Sequence, residues 1–399
     1  MACADQSSTP TNTPILDSGA MPPRVRRKSI KGTIIGVITG LFIGLLLTKA
    51  DRNSPDSLDP GYGLIFLFLA AILATSIHEV GHLLAGWAVG FRFSFIQVGP
   101  VSLGRRHGRL QVRVRREMSA LGYAGMHVDR VCRLRRRLLI YIASGPAANL
   151  LSLPATVILV NYVFPSLGES WFATPAAEFA FISLLFAMIS LVPFSPNLSS
   201  DGARIRMLLT SKAQAWRWIS IASVGRMASD GVRARQWKQT WLASAIGLRD
   251  MTLDEFHGNW LAYSSASDRK DAVVAASRLE RCLELANKLL PSLRDSLAQE
   301  AGVFCSWFRG DLSLSKKWLA QVKRPKSLPP LLRFRITTAL SCAKHDFGGA
   351  LASWQQGIAF IEGLPPGPRQ KALWESWQEW RNEIEKRRTD HAPVPTQVS

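Results

Sequence analysis

Acidic residues are scarce in this sequence: 29 Asp and Glu stand against 49 Lys and Arg among 399 residues, a formal net charge of +20. Charge alone would admit a nucleic-acid binder, but the chain has no groove-reading motif and no stacking platform. The basic excess also sits beside apolar runs, where positive-inside bias predicts it. It is therefore assigned to membrane topology and anionic headgroups, and no nucleic-acid partner is expected. Cysteine is sparse as well. Cys3, Cys132, Cys282, Cys305 and Cys342 are scattered, odd in number and never paired as C-x-x-C. That pattern excludes a disulfide framework and a thiolate metal site, and it suggests a reducing compartment. Beyond about residue 212 no run is long and apolar enough to span a bilayer.

Apolar residues, by contrast, make up 47% of the chain and cluster in the first half. The expected fold is mainly α: a polytopic core of about four spans with a small cytoplasmic β-hairpin, followed by a helical, repeat-like domain. Residues 1–29 read as a disordered cytoplasmic tail, 30–210 as the membrane domain, 211–385 as a cytoplasmic helical domain and 386–399 as a second disordered tail. A basic cluster from Arg24 to Lys31 precedes the first apolar run, Thr33 to Thr48. No small-residue cleavage site is evident, so a retained span is expected rather than a signal peptide. The loop 91–137 holds twelve Arg, no Lys, and only Glu117 and Asp129 as acids, which puts it on the cytoplasmic side. Both termini are then cytoplasmic, in a multi-pass protein of the cell membrane.

Inside the second apolar run, about 63–90, stands His78-Glu79-Val80-Gly81-His82. On a helix, positions i and i+4 share a face, so both imidazoles can reach one metal while Glu79 sits beside it. A catalytic zinc takes three protein ligands and keeps one position for water, whose proton Glu79 is placed to accept. Ionisable groups in a membrane segment are costly unless paired or metal-bound. The alternative is a chance match on a buried helix with satisfied histidines.

Further along, residues 91–98 and 110–115 alternate around a turn at 104–108, as a hairpin or small sheet would. Its edge could hold an unwound peptide by β-augmentation, or the hairpin could simply lie on the lipid surface. The run Arg133, Arg135, Arg136, Arg137 reads as the cytoplasmic anchor of a third span, about 138–164. That span contains Ser144-Gly-Pro-Ala-Ala-Asn149, whose buried amide needs a partner. A fourth span, about 171–192, leaves through a Pro-broken segment to Asp201-Gly202. Asp201 then stands level with the histidine pair, as a third ligand or as the cap of the next helix.

Together HEVGH (78–82), SGPAAN (144–149) and SLVP-FSPNLSS-DG (190–202) resemble the site-2 protease family of intramembrane zinc metalloproteases, over roughly residues 63–210. The resemblance implies that His78, His82 and Asp201 bind one Zn2+ and that Glu79 activates water. It also implies hydrolysis of a peptide bond in or near the transmembrane segment of a single-span membrane protein, as in regulated intramembrane proteolysis. The family commonly has Asn where Ser190 stands here, a residue associated with holding substrate backbone. Asn149, Ser190 and Asn197 are accordingly the candidate substrate-binding residues. Two rival readings are kept. One is a non-catalytic membrane scaffold acting through its cytoplasmic repeats; the other is a different membrane metalloprotease with Glu178 as third ligand.

In the last third, Gly310-Asp311 through Trp318 recurs as His345-Asp346 through Trp354, an offset near the ~34-residue tetratricopeptide period, with Asp271 upstream. The region resembles degenerate tetratricopeptide-like repeats and is the expected site for a cytoplasmic protein partner. Trp307, Trp318 and Trp354 are assigned to its core rather than to a ligand box. A Trp-rich final helix is expected from about Gln370.

Overall fold

The computed structural model describes residues 14–21, 60–106, 109–114, 122–163, 173–193, 200–289, 293–323 and 329–391. The expected first span, 33–48, lies outside them. The chain divides into two compact units, one of residues 26–226 and one combining residues 1–25 with 227–399. The first described element, α1 (Ile15–Ser18), belongs to the second unit.

The 26–226 unit begins with α2 (Pro60–Ala88), an apolar helix rich in Ala, Leu and Ile. Its polar intrusions do not break it: the hydroxyls of Thr75 and Ser76 each donate to the carbonyl four residues back at 2.7 Å. The helix stops where Gly90 turns left-handed, φ +82. Arg137 then donates to the freed carbonyls of Val89 at 2.7 Å and Gly90 at 3.1 Å, while its guanidinium lies over the Phe91 ring. Arg135 does the same farther on, donating to Leu208 O at 2.6 Å. Two members of the arginine run thus satisfy helix C-termini, a task the anchoring role did not anticipate.

Next comes a sheet of four antiparallel strands, β1 (Arg92–Val98), β2 (Val101–Arg106), β3 (Arg109–Val114) and β4 (Gly122–His127), in the order β3-β2-β1-β4. It is larger than the hairpin expected. Gly104, read as part of a turn, pairs with Phe95 inside β2; β1 turns into β2 at Gly99-Pro100, where Gly99 has φ +55, and β2 and β3 pair as far as Arg106 with Arg109. β4, with sequence GYAGMH, carries little β propensity. Its glycines serve contact: a Cβ on Gly125 would stand 2.4 Å from the Phe95 ring.

The unit continues with α3 (Leu134–Ile158), which winds on to Val163, α4 (Ala173–Leu191), α5 (Asp201–Thr210) and α6 (Lys212–Ser229). Two helices, Ile65–Ala88 and Leu134–Val163, are long and apolar enough to cross a membrane, and Pro175–Leu191 is a shorter apolar helix. Phe68, Trp87 and Leu151 project from the long pair largely exposed, as side chains facing lipid would. A core of Phe91, Leu134, Leu138, Ile142, Leu208 and Ile219 joins the sheet's root to α3, α5 and α6.

The second unit is helical: α7 (Gln239–Ile246), then the hairpins α8 (Leu253–Asp268) with α9 (Ala272–Leu289), α10 (Arg294–Arg309) with α11 (Leu312–Leu319), and α12 (Pro330–Ala343) with α13 (Phe347–Glu362), closed by α14 (Pro368–Asp390). The recurring turn seen in the sequence has a common device. A left-handed residue, Lys270, Gly310 or His345, precedes an aspartate. Asp271, Asp311 and Asp346 then accept the amides of Val274, Leu314 and Gly349 at 3.0, 2.8 and 2.9 Å, each cap contributing about 1 kcal/mol. The tryptophans are core. Trp318 is fully buried, and Trp354 and Trp377 exchange indole N–H bonds to each other's carbonyls at 2.7 and 2.8 Å, over a Gly357 that leaves room for the ring. The final helix runs to Asp390, past the boundary expected at 385.

Residues 14–21, expected to belong to a disordered tail, are instead seated on this unit. Leu16 is 1% exposed and packs in the same core as Leu279, Leu283 and Trp318. An apolar pair flanked by Pro14 and Gly19 is too short to signal burial by composition.

Cys282, Cys305 and Cys342 are buried and Cys132 is exposed. Burial pushes the Cys305 thiol up to about 12 and Cys342 up to about 11, so almost no thiolate forms there at neutral pH. Of these four, Cys132 alone should react with a maleimide in the folded protein at pH 7, and the other three should label only after denaturation, as read by mass spectrometry of the intact chain.

Candidate metal centre

One turn of α2 sets His78 and His82 on the same face, with their Nε2 atoms 3.2 Å apart. Both rings are held. Nδ1 of His82 lies 2.7 Å from the Tyr141 carbonyl oxygen; that oxygen can only accept, so Nδ1 carries the proton and Nε2 keeps its lone pair. Nδ1 of His78 lies 3.4 Å from Asn149 Nδ2, which can only donate. Asn149 is wholly buried, and its Oδ1 has no hydrogen-bond partner among the described residues. A half-turn of this amide presents Oδ1 to His78 Nδ1–H, which leaves the second Nε2 free as well.

The third donor arrives from α5. Asp201 Oδ2 is 2.9 Å from His78 Nε2, and Oδ1 is 3.6 Å from His82 Nε2. The cap of α5 is Ser200, not Asp201: its hydroxyl accepts from Ala203 N at 3.3 Å and donates to Val192 O at 2.6 Å. The aspartate is thereby left to face the imidazoles. Gly202 permits the approach, since a Cβ there would stand 1.7 Å from Leu191 O, and it lets the first turn of α5 sit against the last turn of α4.

Close passage of α2 by α3 completes the arrangement. A Cβ on Gly145 would lie 2.4 Å from His82 Nε2 and 2.7 Å from His78 Nε2. On the other helix, a Cβ on Gly81 would lie 2.6 Å from Ser144 O and from Ala148 Cβ. Small residues let two backbones meet where side chains would hold them apart. Asn149 O also receives the hydroxyls of Ser152 at 2.7 Å and Ser183 at 3.2 Å, tying α3 to α4.

Glu79 is buried beside this group, against the start of β4. The Tyr141 hydroxyl donates to the carbonyl of Ala124 at 2.7 Å, and a Cβ on Gly122 would meet Glu79 Oε1 at 2.4 Å. An edge strand of the sheet thus lies against the glutamate.

His78, His82 and Asp201 bring three ligand atoms within 4.8 Å of one another and could hold a metal ion. Lone-pair donors this close repel unless a proton or cation lies between them. One proton shared by His78 and Asp201 leaves His82 Nε2 aimed at the same space, whereas one divalent ion satisfies all three. Nitrogen and carboxylate oxygen together suit zinc and its neighbours in the first transition row.

Of the other candidates, Asn149 lies at the site, but against His78. Ser190 returns its hydroxyl to Ala187 O at 3.0 Å in its own helix. Asn197 lies outside the described residues. Glu178, on the first half of α4, is not part of the ligand group. Tyr141 and β4 were not expected. The glycine of SGPAAN carried a signal of close packing, while a backbone carbonyl that orients a histidine leaves none.

If Asp201 is the third donor, Asp201→Ala and His82→Ala should each remove the bound metal from purified protein while Glu178→Ala keeps it, read by inductively coupled plasma mass spectrometry. Gly145→Ala should also lower metal content, because its methyl group enters the space the two Nε2 atoms face. No protein-family model, curated protein or solved structure matches the chain, so the function is read from this geometry.

Proposed function

We propose that the chain is an intramembrane zinc endopeptidase of the site-2 protease kind, a multi-pass membrane protein that hydrolyses a peptide bond in or near the transmembrane segment of a single-span membrane-protein substrate. The observation that carries this reading is the meeting of two oriented imidazoles and the Asp201 carboxylate beside a buried glutamate, within an apolar helix long enough to cross a bilayer. A purely structural histidine pair would not require Tyr141 O and Asn149 beside both rings and Gly145 to keep a side chain away from their Nε2 atoms. In this reading the membrane core has four spans, about 33–48, 60–88, 134–163 and 173–191, with both termini cytoplasmic.

His78, His82 and Asp201 would hold the zinc, which when bound supplies Lewis-acid polarisation of the scissile carbonyl and acidifies a water. The chain's own groups do the rest. Glu79 takes a proton from the attacking water and returns it to the leaving amine. Gly122 leaves room for its carboxylate against the backbone of β4, where its lone pairs serve that transfer. Tyr141 O, and Asn149 with its Oδ1 turned to His78 Nδ1–H, keep the imidazoles in the tautomer that presents Nε2. A peptide bond within a helix is shielded by its own hydrogen bonds, so the substrate must unwind before attack. β4, an edge strand whose backbone already borders Glu79, is where an extended segment would be presented by β-augmentation.

Glu79→Gln keeps the shape and removes the base. It should retain metal yet lower cleavage by about 100-fold or more, so a single-span membrane protein should accumulate in cells carrying the variant when membrane proteomes are compared with wild type. Unchanged turnover of every membrane protein would reject the protease reading. A phenotype that survives Glu79→Gln but not removal of residues 227–399 would favour the scaffold.

A further inference from the structure

We infer that the second unit carries a peptide-recognition cleft for a short apolar-apolar-acidic-small-Gly segment, filled by this chain's own residues 14–21. The cleft is made by side chains of α9, α10 and α11, and most of its polar contacts go to the backbone of the seated segment. Glu280 accepts the amides of Ile15 and Leu16, the latter at 2.7 Å. The Trp318 indole donates to Leu16 O at 3.0 Å. Gln321 donates to Gly19 O at 2.7 Å and accepts from Met21 N at 2.7 Å.

Three side chains of the segment add selectivity. Leu16 is a buried knob among Leu279, Leu283 and Trp318. Asp17 pairs with Arg309. Gly19 is required twice over: its φ is +65, and a Cβ would stand 2.9 Å from Leu314 Cδ1. The partners are some 300 positions apart in sequence, so local chain geometry does not impose the contact. Backbone hydrogen bonds from fixed side chains, one apolar anchor and one charge are how folded domains read linear peptides. The site does not depend on the protease reading. It does place residues 14–21 and the second unit on one face of any membrane the chain crosses, which makes the number of crossings between residues 22 and 226 even.

The test uses the whole protein in detergent and a fluorescein-labelled peptide of residues 13–23, read by anisotropy. The chain lacking residues 1–22, and separately the full chain with Leu16→Asp, should bind the peptide saturably. The intact chain should bind it at least about tenfold more weakly, because its own segment competes at high effective concentration. A peptide carrying Leu16→Asp should lose roughly thirtyfold or more. Trp318→Phe, placed in the Leu16→Asp chain, should weaken binding about fivefold, and amides 15–21 of the intact chain should be protected from hydrogen exchange. Absence of saturable binding to both opened chains, equal binding of the two peptides, or rapid exchange at 15–21 would each overturn the proposal.

Discussion

Where α2 crosses α3, Gly81 and Gly145 remove the side chains that would otherwise separate the two backbones, and everything at the metal centre follows from that contact. It brings Tyr141 O to His82 Nδ1 and Asn149 to His78 Nδ1, and it keeps any side chain at position 145 away from both Nε2 atoms. The second constraint is of the same kind. Gly202 against Leu191 O and Ser200 on Val192 O turn the chain at the end of α4 so that the Asp201 carboxylate completes the set. Burying two imidazoles and two carboxylates in an apolar unit is unfavourable by several kcal/mol unless they are paired or bound. The glycines therefore hold a polar group at a price that a cation can offset.

The sheet serves the same site. It was expected as a hairpin or small sheet whose edge could hold a peptide or which lay on the lipid surface, and the strand that matters, β4, was invisible because Gly122 and Gly125 dilute any period-two pattern. Both glycines answer to neighbours, Glu79 in one case and the Phe95 ring in the other. Gly122 sets the strand against Glu79 of α2, and Ala124 O ties it to α3 through the Tyr141 hydroxyl. The glutamate expected to act as base is thus also the residue that the edge strand borders.

Much of this was legible beforehand because ligand chemistry and helical spacing are local properties. His78, Glu79 and His82 announce themselves by their i, i+4 register in an apolar run. Asp201 needed help, since a carboxylate before Gly reads equally well as a cap; only Ser200, occupying the cap, separates the alternatives. Contacts made by backbone atoms, such as Tyr141 O, leave no trace in side-chain identity. The arginine run shows the converse limit: its charge was read as the anchor of a span, while the capping of Val89, Gly90 and Leu208 carbonyls depends on where other helices end. In the second unit the turn aspartates and tryptophans marked the hairpins. The seated segment around Leu16 escaped because a few apolar residues in a Ser- and Pro-rich stretch carry no periodicity, and their burial is supplied by residues some 300 positions away.

The central claim is one metal ion held by two histidines and one carboxylate. X-ray absorption at the metal edge of the purified, zinc-loaded protein tests it directly. The account predicts a first shell of nitrogen and oxygen alone at about 2.0–2.1 Å, with outer-shell scattering from two imidazole rings that disappears in His78→Ala/His82→Ala. A sulfur shell, or a spectrum without imidazole scattering, would contradict it.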